Sequence, residues 1–256
     1  MADSHGRFVW YELMTTDTDG AKAFYGNVLG FGTRDAAIPG VAYSIFTLAE
    51  TGIGGLMDLP DDAKKMGAPP SWVGYVGVDD VDAIVGRIQH LGGTAYVPPT
   101  DIPNTGRFAV VADPQRAPFA VFKPLTPIEN RPEQGMPGRV GWHELLAADW
   151  EKAFAFYADL FGWQKAEAVD MGVMGTYQLF AASGQTLGGM FNKPAMIPAP
   201  FWLYYFNVDN IDAAATRVKE GSGEILNGPM QVPGGSWIVQ CKDPQGAVFA
   251  LVGPRS

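Results

Sequence analysis

One stretch of this chain is used twice. Residues Trp10 to Phe31 read WYELMTTDTDGAKAFYGNVLGF, and Trp142 to Trp163 read WHELLAADWEKAFAFYADLFGW. The second copy begins 132 residues after the first and keeps register over 22 positions. Trp, Glu, Leu, Asp, Ala, the Phe-Tyr pair and a Gly before a closing aromatic recur at the same places. A duplicated segment of this length constrains the fold to copies of one supersecondary unit, each packing as the other packs.

Residues 8–16 read as a strand, and Asp17 as the N-cap of a helix carrying Ala21, Phe24, Tyr25 and Val28 at helical spacing, ended by Gly30. Short strands follow at Tyr43–Leu48 and Ile53–Met57. A Pro- and charge-containing connector covers 59–70. The pattern then restarts: a strand at Trp72–Val78, a helix capped by Asp80 with Val81, Ile84, Val85, Ile88 and Leu91 on one face, and strands near Thr94–Val97, Arg107–Ala112 and Phe119–Phe122. Asp113-Pro114 marks the turn between the last two. After the proline-bearing stretch PLTPIENRPEQGMPGR, the third quarter repeats the first and the fourth repeats the second. FWLYYFNVDNIDA aligns with SWVGYVGVDDVDA, and CKDPQGAVFALV with VADPQRAPFAVF. At the Asp-Pro turns the offset is 130, read as two residues lost in one loop.

The reading is an α+β chain of four βαβββ modules in two domains, 7–123 (modules 7–58 and 71–123) and 139–253 (modules 139–192 and 200–253), joined by a Pro-rich linker at 124–138. A net charge of −9 without any basic run speaks against nucleic acid. The segment MADSHGRF has no signal-type apolar core, and no run approaches a membrane span. A single cysteine, Cys241, excludes an intrachain disulfide and thiolate zinc clusters. These features point to a cytoplasmic protein with a small-molecule partner, as a monomer with an internal pseudo-dimer or as a homodimer.

The segment D-x-x-x-A-x-x-FY-x-x-x-x-G-F/W, the V-D-D/N-V/I-D-A helix start and the D-P-Q turn together resemble the vicinal oxygen chelate superfamily. That group includes glyoxalase I, bleomycin-resistance proteins and extradiol dioxygenases. The resemblance covers nearly the whole chain, twice. It implies that each pair of modules curls its mixed sheet into a partly open barrel whose concave face holds the ligand.

The same resemblance implies places for metal ligands. A His seven residues before the first helix-capping Asp falls here on Trp10 and Trp142. A His or Gln at the equivalent place before the second helix falls on Val73 and Leu203. A Glu seven residues after the Asp of the turn falls on Ala120 and Ala250. The fourth lies on a strand reading IGGLM or LGGMF. None of these side chains coordinates a divalent ion. The expectation is therefore no cofactor, with a divalent metal displaced to Glu12 or Glu144 as the alternative. His143 alternates to the helix side and reads as a packed, hydrogen-bonded residue; His5 and His90 are expected in solvent.

Strand alternation places Trp10, Glu12 and Met14 on one face, and Trp142, Glu144 and Leu146 on its copy. Tyr75 and Tyr205 point the same way. Ligand-binding candidates are Trp10, Tyr75, Arg107, Trp142 and Tyr205, with Arg107 as an anion anchor. Such a wall suits a flat or apolar molecule. Glu12 and Glu144 are the candidate catalytic residues, because a carboxylate in an apolar cavity can serve as general acid or base. Their other reading is structural, with each carboxylate tied to a backbone N–H, a tyrosine or Arg107. Two functions stay open: a small-molecule binder without the family's metal, and a metal-independent lyase, isomerase or oxygenase-like enzyme using Glu12 or Glu144.

Overall fold

The computed structural model describes residues 4–36, 42–126 and 135–255. Most of the expected linker, 127–134, lies outside the described residues. The first module is β1 (Phe8–Thr15), α1 (Thr18–Leu29), β2 (Gly32–Asp35), β3 (Tyr43–Leu48) and β4 (Thr51–Asp58). A short helix, α2 (Asp61–Lys65), precedes the second: β5 (Ser71–Gly77), α3 (Val81–His90), β6 (Thr94–Ile102), β7 (Gly106–Ala112) and β8 (Pro118–Pro124). The third is β9 (Val140–Ala147), α4 (Trp150–Phe161), β10 (Gln164–Asp170), a 3₁₀ turn at Gly172–Met174, β11 (Thr176–Ala182) and β12 (Gln185–Asn192). The fourth is β13 (Phe201–Asn207), α5 (Ile211–Glu220), β14 (Glu224–Gln231), β15 (Trp237–Lys242) and β16 (Val248–Gly253).

The four modules form two open eight-stranded sheets, ordered β2-β3-β4-β1-β5-β8-β7-β6 and β10-β11-β12-β9-β13-β16-β15-β14. Each module begins its long helix in the same way. Asp17, Asp80, Asp149 and Asn210 accept a hydrogen bond from the backbone N–H three residues on, worth about 1 kcal/mol apiece. Gly30 and Gly162 end α1 and α4 with φ of 73° and 67°, a left-handed conformation that other residues adopt at a cost.

Three local features depart from the sequence reading. The connector at 59–70 contains α2, favoured by Asp61 and Asp62 in its first turn and Lys64 and Lys65 in its last. Strand β6 runs on through Pro98 and Pro99, tolerated because β6 lies at the end of its sheet. The repeat also drifts in two steps: Tyr43 and Tyr177 are 134 apart, since the connection through the 3₁₀ turn is longer in the third module, and residues are lost only later.

The described chain divides into two compact units, each taking elements from both halves. One contains residues 10–36, 42–72, 135–142 and 204–255; the other contains 4–9, 73–126 and 143–203. In the first of these, Tyr25 of α1 donates to Asp243 at 3.0 Å and accepts from the Trp72 indole N–H at 2.9 Å. Asp243 also accepts from the backbone N–H of Gln245 and Ala247. The other unit repeats this: Tyr157 of α4 donates to Asp113 at 3.2 Å and accepts from Trp202 at 3.0 Å, and Asp113 caps its own turn. The Phe-Tyr pair of the helix and the Asp-Pro-Gln turn are thus two ends of one buried network. Burial pushes both aspartates above the ordinary carboxylate range, against the pull of these donors. Phe46, Phe206 and Phe249 fill in around Tyr25 and Trp72, and Phe119, Phe161 and Trp163 pack against Tyr157.

Candidate ligand-binding site

The pleat of β1 divides its side chains. Leu13 is fully buried on the helix side, paired with Leu56 of β4. Glu12 points to the other face, in register with Gly55. The row continues through Ile45 of β3 to Arg34 of β2. Trp10 and Tyr43 stand on this same face. The Trp10 indole N–H donates to the Tyr43 hydroxyl at 3.1 Å, and Tyr43 is hydrogen-bonded to Glu12. Glu12 is 8% exposed, whereas both aromatic rings are only half-buried and so form an accessible wall. Burial, then the Glu12 charge, raises the Tyr43 pKa far above the usual phenol value, so the hydroxyl stays protonated and donates.

The other unit holds the equivalent pair. Tyr177 of β11 donates to Glu144 of β9 at 2.9 Å, and Glu144 is 7% exposed. Trp142 precedes Glu144 by two residues on β9 and is half-buried. Each buried glutamate is thus tied to a tyrosine, one of the partners expected for it.

Tyr43 and Tyr177 were not singled out from sequence as site residues, yet they complete both clusters. Their signal was the repeated Gly-Gly pair of β4 and β12. A Cβ on Gly55 would lie 1.8 Å from the Tyr43 hydroxyl oxygen, and one on Gly189 would lie 2.2 Å from the Tyr177 ring. The first glycine of each pair is needed by backbone instead: a Cβ on Gly54 would sit 2.9 Å from the Tyr11 carbonyl, and one on Gly188 1.8 Å from that of His143. A repeated glycine in a strand interior marks this kind of close approach.

The remaining candidates are placed as follows. Tyr75 is buried, with Phe108 at 6.3 Å and Phe122 at 6.5 Å between ring centroids. Tyr205 is buried and accepts from Gln240 at 2.9 Å. Arg107 does not join Tyr75. In register, Tyr75 pairs with Ala120 and Ala120 with Val110, so Phe108 shares the Tyr75 face and Arg107 takes the opposite one. There its guanidinium clamps Asp82 of α3 at 2.7 and 2.9 Å and Asp101 at 2.9 Å. This ion pair holds Asp82 below the ordinary carboxylate range.

His143 is 4% exposed, bonded through Nδ1 to the Leu187 carbonyl at 2.7 Å and stacked on Phe8 at 4.0 Å. Burial lowers its pKa to about 4, so it is neutral at pH 7 and packs as the sequence implied. His90 is exposed; His5 is half-buried, 3.3 Å from Asp79, rather than fully in solvent. Burial pushes the Cys241 thiol up to about 12, which leaves it inert. Among the described residues, no group of three or more His, Cys, Asp or Glu side chains is placed to hold a metal ion. No helix among them is long and apolar enough to cross a membrane.

Comparison with known proteins places these features in a family. The model of the Glyoxalase/Bleomycin resistance protein/Dioxygenase superfamily matches residues 7–121 and again 139–251. CFP32 of Mycobacterium tuberculosis, which carries a glyoxylase name, is 31% identical over 96% of this chain and 94% of its own. The anthracycline biosynthesis protein DauV of Streptomyces sp. (strain C5) is 29% identical over 96% of this chain and 93% of its own. The Mn(II)-bound glyoxalase from Novosphingobium aromaticivorans superposes with a TM-score of 0.64 at 17% identity, over 99% of this chain and 83% of that one, a likeness of fold. With both halves matched by one family model and the duplicated βαβββ architecture in hand, this chain belongs to the Glyoxalase/Bleomycin resistance protein/Dioxygenase superfamily.

Proposed function

We propose that this protein binds a small aromatic or apolar molecule on the Trp- and Tyr-bearing sheet faces, without the metal used elsewhere in its superfamily. The observation that carries this reading is the position of the two tyrosines. Tyr43 over Gly55 and Tyr177 over Gly189 fill the space that any side chain at those glycines would need. The fourth ligand place implied by the family resemblance lies on these strands, where a side chain at Gly55 or Gly189 and the tyrosine exclude each other. The other places where the family resemblance puts ligands carry Trp10, Trp142, Val73, Leu203, Ala120 and Ala250, none of which offers a donor. The donor set does not fit a divalent ion: one carboxylate beside a protonated phenol is too few and too poor.

What stands there instead fits a flat ligand. Half-buried Trp10 and Tyr43 in one unit, and Tyr177 in the other, offer ring surface together with a single buried carboxylate. Stacking on such a wall contributes apolar burial, and the polar group fixes orientation. One relative, DauV, is named as an anthracycline biosynthesis protein, which supports an aromatic ligand for this chain. We place the protein in the cytoplasm with a small-molecule partner and with neither nucleic acid nor membrane, a reading supported by the net charge of −9 without a basic run.

A second reading rests on the buried Glu12 and Glu144. Each carboxylate, held by a tyrosine on an otherwise apolar wall, could act as general base in a lyase, isomerase or oxygenase-like reaction. The double variant Glu12→Gln, Glu144→Gln separates the two. For a binder, affinity for 2-naphthol measured by calorimetry stays within about threefold of wild type. For an enzyme, turnover of a substrate found by screening falls by two or more orders of magnitude while binding persists. Lack of any 2-naphthol binding by the wild-type protein would remove the aromatic-binding reading.

A further inference from the structure

The wall around Trp10 has a cation that sequence reasoning passed over. Arg34 of β2 is in register with Ile45, Ile45 with Gly55, and Gly55 with Glu12. Residues directly opposite across strands share a face, so Arg34, Ile45 and Glu12 all point to the side that carries Trp10 and Tyr43. Gly52 fixes where the arginine head lies. A Cβ on Gly52 would meet Ile45 Cγ2 at 3.1 Å, Trp10 Cη2 at 3.7 Å and Arg34 Nη2 at 3.8 Å. One guanidinium nitrogen and the far edge of the Trp10 indole thus border the same strand position, which has no side chain.

Among the described residues, the Arg34 side chain is not spent on a partner. Arg107, Arg87 and Arg255 each clamp an aspartate. The Arg34 guanidinium makes no hydrogen bond or ion pair with another described residue. An exposed arginine beside an aromatic edge presents a planar fork of donors that suits a planar anion.

We infer that Arg34 makes this face selective for an aromatic acid. The ring system stacks against Trp10 and the carboxylate meets the Arg34 guanidinium. The anion stays at the β2 edge because Glu12, at the other end of the row, repels it. Three strand spacings of about 4.8 Å separate the two ends, a span that fits two fused rings with an acid group.

The second copy lacks the device. Opposite Leu179, the counterpart of Ile45, strand β10 bulges and carries Ala166 and Glu167. The counterpart of Gly52 is Thr186, so the open strand position is filled as well. The two halves of this duplicated chain have accordingly diverged in ligand charge: an acid for the Trp10 face, a neutral ring for the Tyr177 face.

This inference rests on the aromatic-binding reading, and one calorimetric experiment separates their failures. Wild-type protein is titrated with 2-naphthoate and, separately, with the neutral 2-naphthol, alongside Arg34→Ala, Arg34→Lys and the control Lys165→Ala. Naphthoate is expected to bind at one site per chain. Arg34→Ala lowers its affinity at least tenfold and leaves naphthol within twofold of wild type. Arg34→Lys restores part of the loss, and Lys165→Ala changes nothing. If naphthol binds but naphthoate does not, or naphthoate binds equally to wild type and Arg34→Ala, the role of Arg34 is overturned and the aromatic reading stands. If neither probe binds the wild-type protein, both fall.

Discussion

Histidine 143 supplies a prediction whose size follows from its surroundings. The ring is buried, stacked on Phe8, and held by the Leu187 carbonyl. Desolvation, partly offset by that carbonyl, lowers its pKa from 6.5 to about 4. The sign follows from proton linkage. Between pH 6.5 and 4 the unfolded chain takes up a proton that the native state refuses, so stability is lost as pH falls through this window. The full effect is roughly 3 kcal/mol, and about 2 kcal/mol of it appears between pH 7 and pH 5. The matched comparison is His143→Gln, which keeps a side-chain donor but does not titrate. Both proteins are unfolded in urea at pH 7, 6 and 5, and their stabilities are subtracted. His5 and His90 are present in both and cancel. Wild type should be the more stable protein at pH 7 and lose about 2 kcal/mol more than the variant by pH 5. Parallel pH profiles would mean that His143 protonates in the native state, and the buried, neutral assignment would be wrong.

Two further outcomes follow from the packing. Gly189→Ala puts a methyl 2.2 Å from the Tyr177 ring and must drive that ring off Glu144; a loss of about 1–3 kcal/mol in thermal unfolding is expected, whereas Gly184→Ala in the exposed hairpin tests only its left-handed backbone. Combining Gly189→Ala with Tyr177→Ala should recover most of the loss, since the collision disappears. Tyr25→Phe removes the donor to buried Asp243 and the acceptor of Trp72, and should cost about 1–3 kcal/mol by urea unfolding. An unchanged midpoint would mean that the buried network does not hold its unit together.

The repeat made the architecture legible. Its apolar spacing, the Asp caps and the glycine after each Phe-Tyr helix are local signals, and the helices begin and end where those signals stand. Strands β2 and β10 were hard to see because they sit at sheet edges and are largely exposed, so neither carries an apolar alternation. Glu12, Glu144, Trp10 and Trp142 could be placed on one face by counting alternate residues along a strand. Tyr43 and Tyr177 could not, because they reach their glutamates across the sheet, and only register relates β3 to β1. The glycines were the available clue, since a repeated Gly-Gly inside a strand marks a close approach. Arg107 shows the converse error. Its charge makes it an anion candidate, while the pleat of β7 turns it to Asp82; the arginine found beside Trp10, Arg34, belongs to an edge strand of the other unit.

Ligand binding by the aromatic clusters in place of a metal centre, as proposed, can be measured directly. The direct measurement is calorimetric titration of the protein with 2-naphthol before and after exhaustive chelation, with Fe, Mn, Ni and Zn content determined on the same samples. Equal affinity in both samples, with metal far below one equivalent, is the predicted result. Stoichiometric metal that leaves on chelation together with binding, and restores binding when returned, would contradict it.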